Sequence, residues 1–340
     1  MVRLGGLAQL GERSVRNAEV TGSSPVSSTS SMTAPRQRRR LTFGSSVTAQ
    51  RTGFARAPDG IRLYYRVVGE GPPIVCCNGV GVSTFFYKYV VQHFSKDHAV
   101  LVWDYRGHGR SERPSHPPTA DLSIERNARD LSCVLDAAGL DAPTLLGHSM
   151  GCQVILEFTR CYPDRPRGLV PMFGTYARPL DTFLDWQHSR TAFELLRRIA
   201  DAGGKIGTRL LKPIYANPFT GELGRVTGVI DRFYADRVDI AKYLEHLEHM
   251  DAQVFMRMVH LMADHDMTDF LPQIQVPTLV IAGERDIFTP LHRSHAMAEN
   301  IPGAELLVLA EASHAAIVED PETINLRIER FLRERVYSAS

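Results

Sequence analysis

The residues best placed to do chemistry are a serine, an aspartate and a histidine, each at the end of an apolar run. The pentapeptide Gly147-His148-Ser149-Met150-Gly151 follows the apolar Thr144-Leu145-Leu146 and precedes the helix-like stretch Cys152–Phe158. A buried strand that must turn sharply into a helix forces the serine at the turn into a strained backbone conformation. Glycines two positions before and after it remove the side chains that would clash there. The Oγ then stands at a helix N-terminus, where backbone N–H groups favour developing negative charge. Such a hydroxyl can attack an acyl carbon once a base takes its proton. Further on, Thr278–Ala282 reads as a buried strand running into Gly283-Glu284-Arg285-Asp286, which puts Asp286 just past a strand end. Glu305–Leu309 reads as another strand and leads to Ala312-Ser313-His314, so His314 occupies the equivalent loop. Open α/β sheets bind ligands outside the carboxyl ends of their strands. Taken singly, the serine has the alternative of a solvated residue in a Gly-rich turn, and the histidine that of a surface-loop residue. Three catalytic residue types at three strand ends point instead to one site, with His314 as base and an acid (Asp286, Glu284 or Glu311) behind it.

Two more segments extend the pattern: Trp103-Asp104-Tyr105-Arg106-Gly107-His108-Gly109-Arg110-Ser111, a D-x-R-G-x-G-x-S turn after a strand, and Gly283-Glu284-Arg285-Asp286. With these motifs, residues 52–337 resemble the α/β-hydrolase superfamily, in the branch of single-domain esterases, lactonases and cofactor-free haloperoxidases. The resemblance implies a catalytic order of Ser149, Asp286, His314, and it selects Asp286 over the neighbouring glutamates. It also implies an oxyanion hole from two backbone N–H groups, those of Met150 and Val80. Val80 lies in Asn78-Gly79-Val80-Gly81, where many relatives have His-Gly-x-Gly. Asn78 departs from that pattern and resembles the loop of some intracellular polyester depolymerases, so substrate inferences from the His-containing relatives weaken. Ser149 also stands where haloalkane dehalogenases and epoxide hydrolases have Asp, which favours acyl over alkyl transfer. The expected function is cleavage of a small or medium apolar carboxylic ester or lactone through an acyl-enzyme, without a cofactor. C–C bond hydrolysis and thioester hydrolysis use the same triad and stay open. So does a non-enzymatic ligand sensor that retains the triad.

Elements that could position these residues follow from periodicity. Gly60–Val67 alternates as an antiparallel entry strand. Ile74–Cys77, Ala99–Trp103, Thr144–Gly147, Gly168–Met172, Thr278–Ala282 and Glu305–Leu309 then read as strands, most separated by helical patterns such as Leu122–Ala138, Met150–Cys161 and Pro321–Arg335. That alternation predicts a mainly parallel, doubly wound α/β sheet. Residues 176–270 show no strand pattern, only helical periodicity in Ala192–Ala202, Gly224–Tyr234 and Ile240–Ala263. They are expected to form a helical cap inserted between a core of 52–175 and 271–337. Leu247, Met250, Val254, Phe255, Met258, Leu261 and Met262 make an apolar stripe within it, suited to closing a pocket. His246, His249, His260 and His265 have no partner set that completes a metal site.

With 340 residues, 44% of them hydrophobic, the chain can bury a large core. A net charge of +1 offers no field for nucleic acid or an anionic membrane. No apolar run reaches the roughly 18 residues that span a bilayer. The expectation is a cytoplasmic protein acting on a small molecule. The five cysteines are scattered, and Cys76 and Cys77 should point to opposite faces of a strand as buried thiols. Residues 1–51 read as a disordered N-terminal segment. Within it, Ala8–Arg13 and Gly22–Val26 match what transfer-RNA D-arm and TΨC-arm sequences would encode, in that order. Residues 1–31 are therefore expected to be a translated tRNA gene, with Met32 as the start. Arg36–Arg40 reads as a solvated basic run.

Overall fold

Ala99–Trp103 and Leu279–Ala282 are continuous apolar runs rather than alternating ones, the pattern of strands covered on both faces. In the computed structural model these runs become central strands. The structure describes residues 49–182, 190–191, 193–195, 197–198 and 237–338; residues 1–48 and the expected helix Gly224–Tyr234 lie outside them. The strands are β1 (Gln50–Arg56), β2 (Arg62–Val68), β3 (Pro73–Cys77), β4 (Ala99–Trp103), β5 (Thr144–His148), β6 (Gly168–Met172), β7 (Leu279–Gly283) and β8 (Glu305–Leu309). They form one sheet in the order β1-β2-β4-β3-β5-β6-β7-β8. The pairs β1/β2 and β2/β4 are antiparallel, and every later pair is parallel. The doubly wound α/β expectation holds.

The helices divide between the faces. They are α1 (Lys88–Phe94), α2 (Ile124–Ala138), α3 (Met150–Cys161), α4 (Arg237–His249), α5 (Ala252–Met262), α6 (Leu291–Asn300) and α7 (Pro321–Phe331). One apolar cluster joins α2, α3 and α6 to Val75, Cys77, Leu101, Leu145 and Val280. The other joins α1 and α7 to Ile74, Cys76, Val100, Leu146 and Ile281. Successive strand residues thus alternate between two cores. Cys76 and Cys77 do face opposite ways, but Cys161, the last residue of α3, is exposed and Cys133 only half-buried.

Two expectations are corrected. Gln50 and Arg51, assigned to the N-terminal tail, are strand residues of β1. Most of β1 is exposed, so its sequence shows no burial pattern; its ladder to β2, from Gln50↔Val68 to Arg56↔Arg62, is what makes it a strand. The single helix expected over 240–263 is broken into α4 and α5. Asp251 causes the break: its carboxylate accepts from the N–H groups of Gln253 and Val254 and caps a new helix. Both helices lie between β6 and β7 in sequence. The ends of that insertion meet in an antiparallel bridge, Ala177↔Asp266, where Arg178 N–H donates to His265 O at 3.0 Å and Met267 N–H to Tyr176 O at 2.9 Å.

Candidate active site

Ser149 is held in the strained conformation that its flanking glycines predict, with φ 56° and ψ −119°. β5 ends at His148 and α3 begins at Met150, so Ser149 is the single turn residue between them. Its N–H donates to Met172 O of β6 at 3.1 Å, which pins the turn to the sheet. Gly151 is required by closeness: a Cβ there would overlap the Cys77 carbonyl. Met150 is the first helical residue, so its N–H has no intrahelical acceptor.

Asp286 and His314 come together after β7 and β8. His314 Nδ1 lies 2.9 Å from Asp286 Oδ2. The Asp286 side chain is almost wholly buried and takes three further hydrogen bonds: Phe288 N–H at 2.9 Å and Thr289 N–H at 3.0 Å on Oδ1, and Thr289 Oγ1 at 2.5 Å on Oδ2. Burial opposes its charge. The neighbouring His314 and these hydrogen bonds outweigh burial and hold the carboxyl below the ordinary aspartate value. An acceptor-only carboxylate at Nδ1 makes that nitrogen the proton carrier and leaves the free lone pair on His314 Nε2. Glu284 and Glu311, the rival acids, point elsewhere. Glu311 pairs with Arg285, and Glu284 accepts from Glu311 N–H at 3.4 Å.

Ser149 and His314 are neighbours through His148. His148 Nε2 lies 3.0 Å from His314 O, and the two rings are 5.0 Å apart. Among the described residues no hydrogen bond joins Ser149 Oγ to His314.

The loop after β3 lies against the turn. A Cβ on Gly79 would stand 3.1 Å from Ser149 Cβ and 3.5 Å from its Oγ. The loop is braced from behind: Tyr105 OH donates to Asn78 O at 2.9 Å, and Asn78 Nδ2 donates to Trp103 O at 3.0 Å. His108 Nε2 accepts the Gly81 N–H at 3.1 Å while its Nδ1 donates to Arg106 O at 3.1 Å. Burial pushes the His108 imidazole down to about 4, which keeps it neutral for this double role. With Gly81 N–H occupied, the Val80 N–H has no hydrogen-bond partner among the described residues.

Sequence reasoning passed over His108, His148 and Thr289. The first two stand at variable positions of the D-x-R-G-x-G-x-S and G-x-S-x-G patterns, which prescribe only their neighbours. The Asn78 side chain bonds β4, a role open to a non-histidine at that position.

Three of the four histidines of the insertion go to separate partners, and the fourth, His246, lies with its ring 5.8 Å from that of Phe85. His260 pairs with Glu194 at 2.6 Å, and His249 Nδ1 donates to Glu245 O at 2.8 Å. His265 joins Glu157 and Glu125, with one ligand atom of each within 4.8 Å of the others. Gln153 Nε2 donates to Met262 O at 3.2 Å and lies 3.2 Å from His265 Nδ1, so His265 carries its proton on Nε2, directed at Glu157 3.3 Å away. Arg160 occupies Glu157 as well. Burial opposes the Glu157 charge, but His265 and Arg160 together hold its carboxyl down at about 2. Hydrogen bonds from Gln153, His265 and Arg160 hold this cluster together, and it ties α3 to the segment after α5.

The chain belongs to the α/β-hydrolase fold family, whose sequence profile matches residues 72–321. A protein of Azorhizobium caulinodans named as a carbamate hydrolase, RutD, is 29% identical over 277 residues, covering 80% of this chain and 95% of its own. An esterase from Thermogutta terrifontis is 25% identical with a TM-score of 0.68, over 84% of this chain and 98% of its own. Est816, described as an N-acyl homoserine lactone degrading enzyme, is 27% identical with a TM-score of 0.63, over 82% of this chain and 100% of its own. The chain is a hydrolase. No helix among the described residues is long and apolar enough to cross a membrane.

Proposed function

We propose that this hydrolase cleaves small or medium apolar carboxylic esters or lactones through an acyl-enzyme on Ser149, with His314 as general base and Asp286 as its partner. The observation that carries the reading is the 2.9 Å Asp286–His314 hydrogen bond, standing beside a serine in a strained strand-to-helix turn. Ser149 Oγ attacks the acyl carbon as His314 Nε2 takes its proton. The oxyanion is received by the N–H groups of Met150 and Val80, each such donor being worth roughly 3–4 kcal/mol of barrier. His314 then protonates the leaving alcohol, and a water activated by the same nitrogen releases the acid. No step requires a cofactor or metal.

The preference for apolar acyl groups rests on what stands over the loop after β3. A Cβ on Gly81 would meet Phe255 Cε2 at 3.0 Å and Leu247 Cδ2 at 3.1 Å, so apolar side chains of α4 and α5 reach the oxyanion side. In this reading residues 176–270 act as the cap and bring those side chains to the substrate. The named function of the Azorhizobium relative supports a second reading, a carbamate, whose carbonyl is open to the same attack. The test is fluorophosphonate labelling of Ser149, followed by a panel of p-nitrophenyl esters, lactones and carbamates. Strict preference for a charged acyl group would overturn the apolar-ester reading, and turnover confined to carbamates would replace it with the second.

A further inference from the structure

His148 is bonded directly to the proposed nucleophile, and no step above uses its side chain. That side chain is buried, with the residue 3% exposed. Its Nε2 lies 3.0 Å from the main-chain oxygen of His314. A carbonyl only accepts, so Nε2 carries the proton and donates, and Nδ1 is left as a lone-pair acceptor. Nδ1 is buried and has no hydrogen-bond partner among the described residues. An unmet buried acceptor is destabilising, and an apolar side chain of the same size would fill the space without one. Packing therefore does not account for a histidine here, whereas the Nε2–H bond does.

The bond joins the turn that carries Ser149 to the loop that carries His314. His314 lies in the loop between β8 and the turn Ala316–Glu319, beyond the strand ladder that fixes its neighbours. Asp286 holds the ring of His314 at Nδ1. The main chain behind that ring is held by His148, itself fixed between Phe86 and Phe173 with ring centroids 4.7 and 6.2 Å away. We propose that His148 is a positioning residue whose Nε2–H clamps the His314 carbonyl, so that base and nucleophile move as one unit. The proposal rests on the Ser149, His314 and Asp286 reading. When His314 gains its proton during the reaction, its neighbour must not add a second charge. Burial and the nearby His314 push the His148 imidazole down to about 3, so it stays neutral.

Gln and Asn separate the two nitrogens of His148 in the full chain. The Gln amide nitrogen reaches the Nε2 position, whereas the Asn amide nitrogen falls at the Nδ1 position; Leu keeps volume and removes both. With p-nitrophenyl butyrate, His148→Gln should retain kcat within about threefold, while His148→Asn and His148→Leu should each lose about 100-fold with KM little changed. Fluorophosphonate labelling should slow by the same factor, and melting temperatures should show all three variants folded. Folded Asn or Leu variants as fast as Gln would overturn the clamp, as would a folded Gln variant as slow as Asn. Ser149→Ala, assayed alongside, separates the two failures: normal turnover there overturns the triad reading, whereas an inert Ser149→Ala with a fully active His148→Asn overturns the clamp alone.

Discussion

The sheet and the insertion between β6 and β7 are held in different ways. Along β5, which delivers Ser149, every residue is buried; Thr144–Gly147 pair with both β3 and β6, and His148 pairs with β6. The helices α4 and α5 join no strand ladder and reach the rest of the chain through side chains, with Leu247, Met250, Val254 and Met258 buried in the core on one face of the sheet. Further contacts include the Arg113–Asp251 ion pair at 2.5 Å, the Gln153 Nε2 bond to Met262 O at 3.2 Å, Val254 against Gly107, and Leu247 and Phe255 against Gly81. A cooperative ladder with two close-packed cores fixes atoms to fractions of an ångström. Separate side-chain contacts can change one at a time. On the proposed reading, the reacting groups sit where the fold tolerates little change, while the groups suited to choosing a substrate sit where it tolerates more. That division can be broken by experiment.

The largest effect should come from Ser149→Ala, which is expected to lower ester turnover by about 10⁵-fold or more while leaving the melting temperature unchanged. Alanine meets the same strain at φ 56° as serine does, so a melt that shifts strongly would show that Ser149 also carries packing. Asp286→Asn should follow, with a loss of roughly 10³- to 10⁴-fold in kcat, because the amide favours the wrong His314 tautomer. Steady-state rates against p-nitrophenyl butyrate measure both.

Acid should then reveal the sheet side through stability. His108 and His148 have folded values of about 4 and about 3, below the ordinary histidine value. Between those values and about pH 6.5 the unfolded chain binds more protons, so the stability present at pH 7 is lost as pH falls. At pH 5 each histidine should have removed about 2 kcal/mol, read from urea melts at the two pH values. His108→Asn should remove roughly half of that slope, and an unchanged slope would mean that His108 is not held neutral.

Changes on the insertion should be milder and concern selectivity. Phe255→Ala is expected to move the optimum to longer acyl chains, each added methylene gaining about 0.8 kcal/mol, or roughly fourfold in kcat/KM, until the enlarged space is filled. The kcat on the best ester should stay within a few-fold. Abolished turnover would place Phe255 among the reacting parts and erase the division. Arg113→Ala, which breaks a half-exposed ion pair, should cost under about 1 kcal/mol in a thermal melt and leave kcat unaltered.

Much of the fold was legible because its signals are local. The central strands are apolar runs, and β4, β6 and β8 have the bounds their sequence suggests. Where signals were absent or competing, the reading failed. β1 is exposed and is a strand through pairing alone. The break at Asp251 was hidden because the apolar stripe runs across it, and only the capping bonds reveal that the carboxylate ends one helix and begins another. At the site, residue types and their places at strand ends were readable, and Asp286 and His314 do meet. The supporting contacts of His108, His148 and Thr289 were not, since a hydrogen bond to a distant main-chain or side-chain oxygen leaves no pattern in nearby residues.

By itself, then, the sequence determined a doubly wound α/β sheet, a strained serine turn after one strand, and an acid and a histidine after two others. Each of these follows from apolar run length, glycine placement and helical period acting within about ten residues. The tertiary structure alone decided which of those groups meet. His314 contacts Asp286 across 28 positions and His148 across 166, distances in sequence that only the strand order β5-β6-β7-β8 closes. The physical reason is that burial and periodicity act along the chain. A hydrogen bond needs two groups brought within about 3 Å by packing elsewhere.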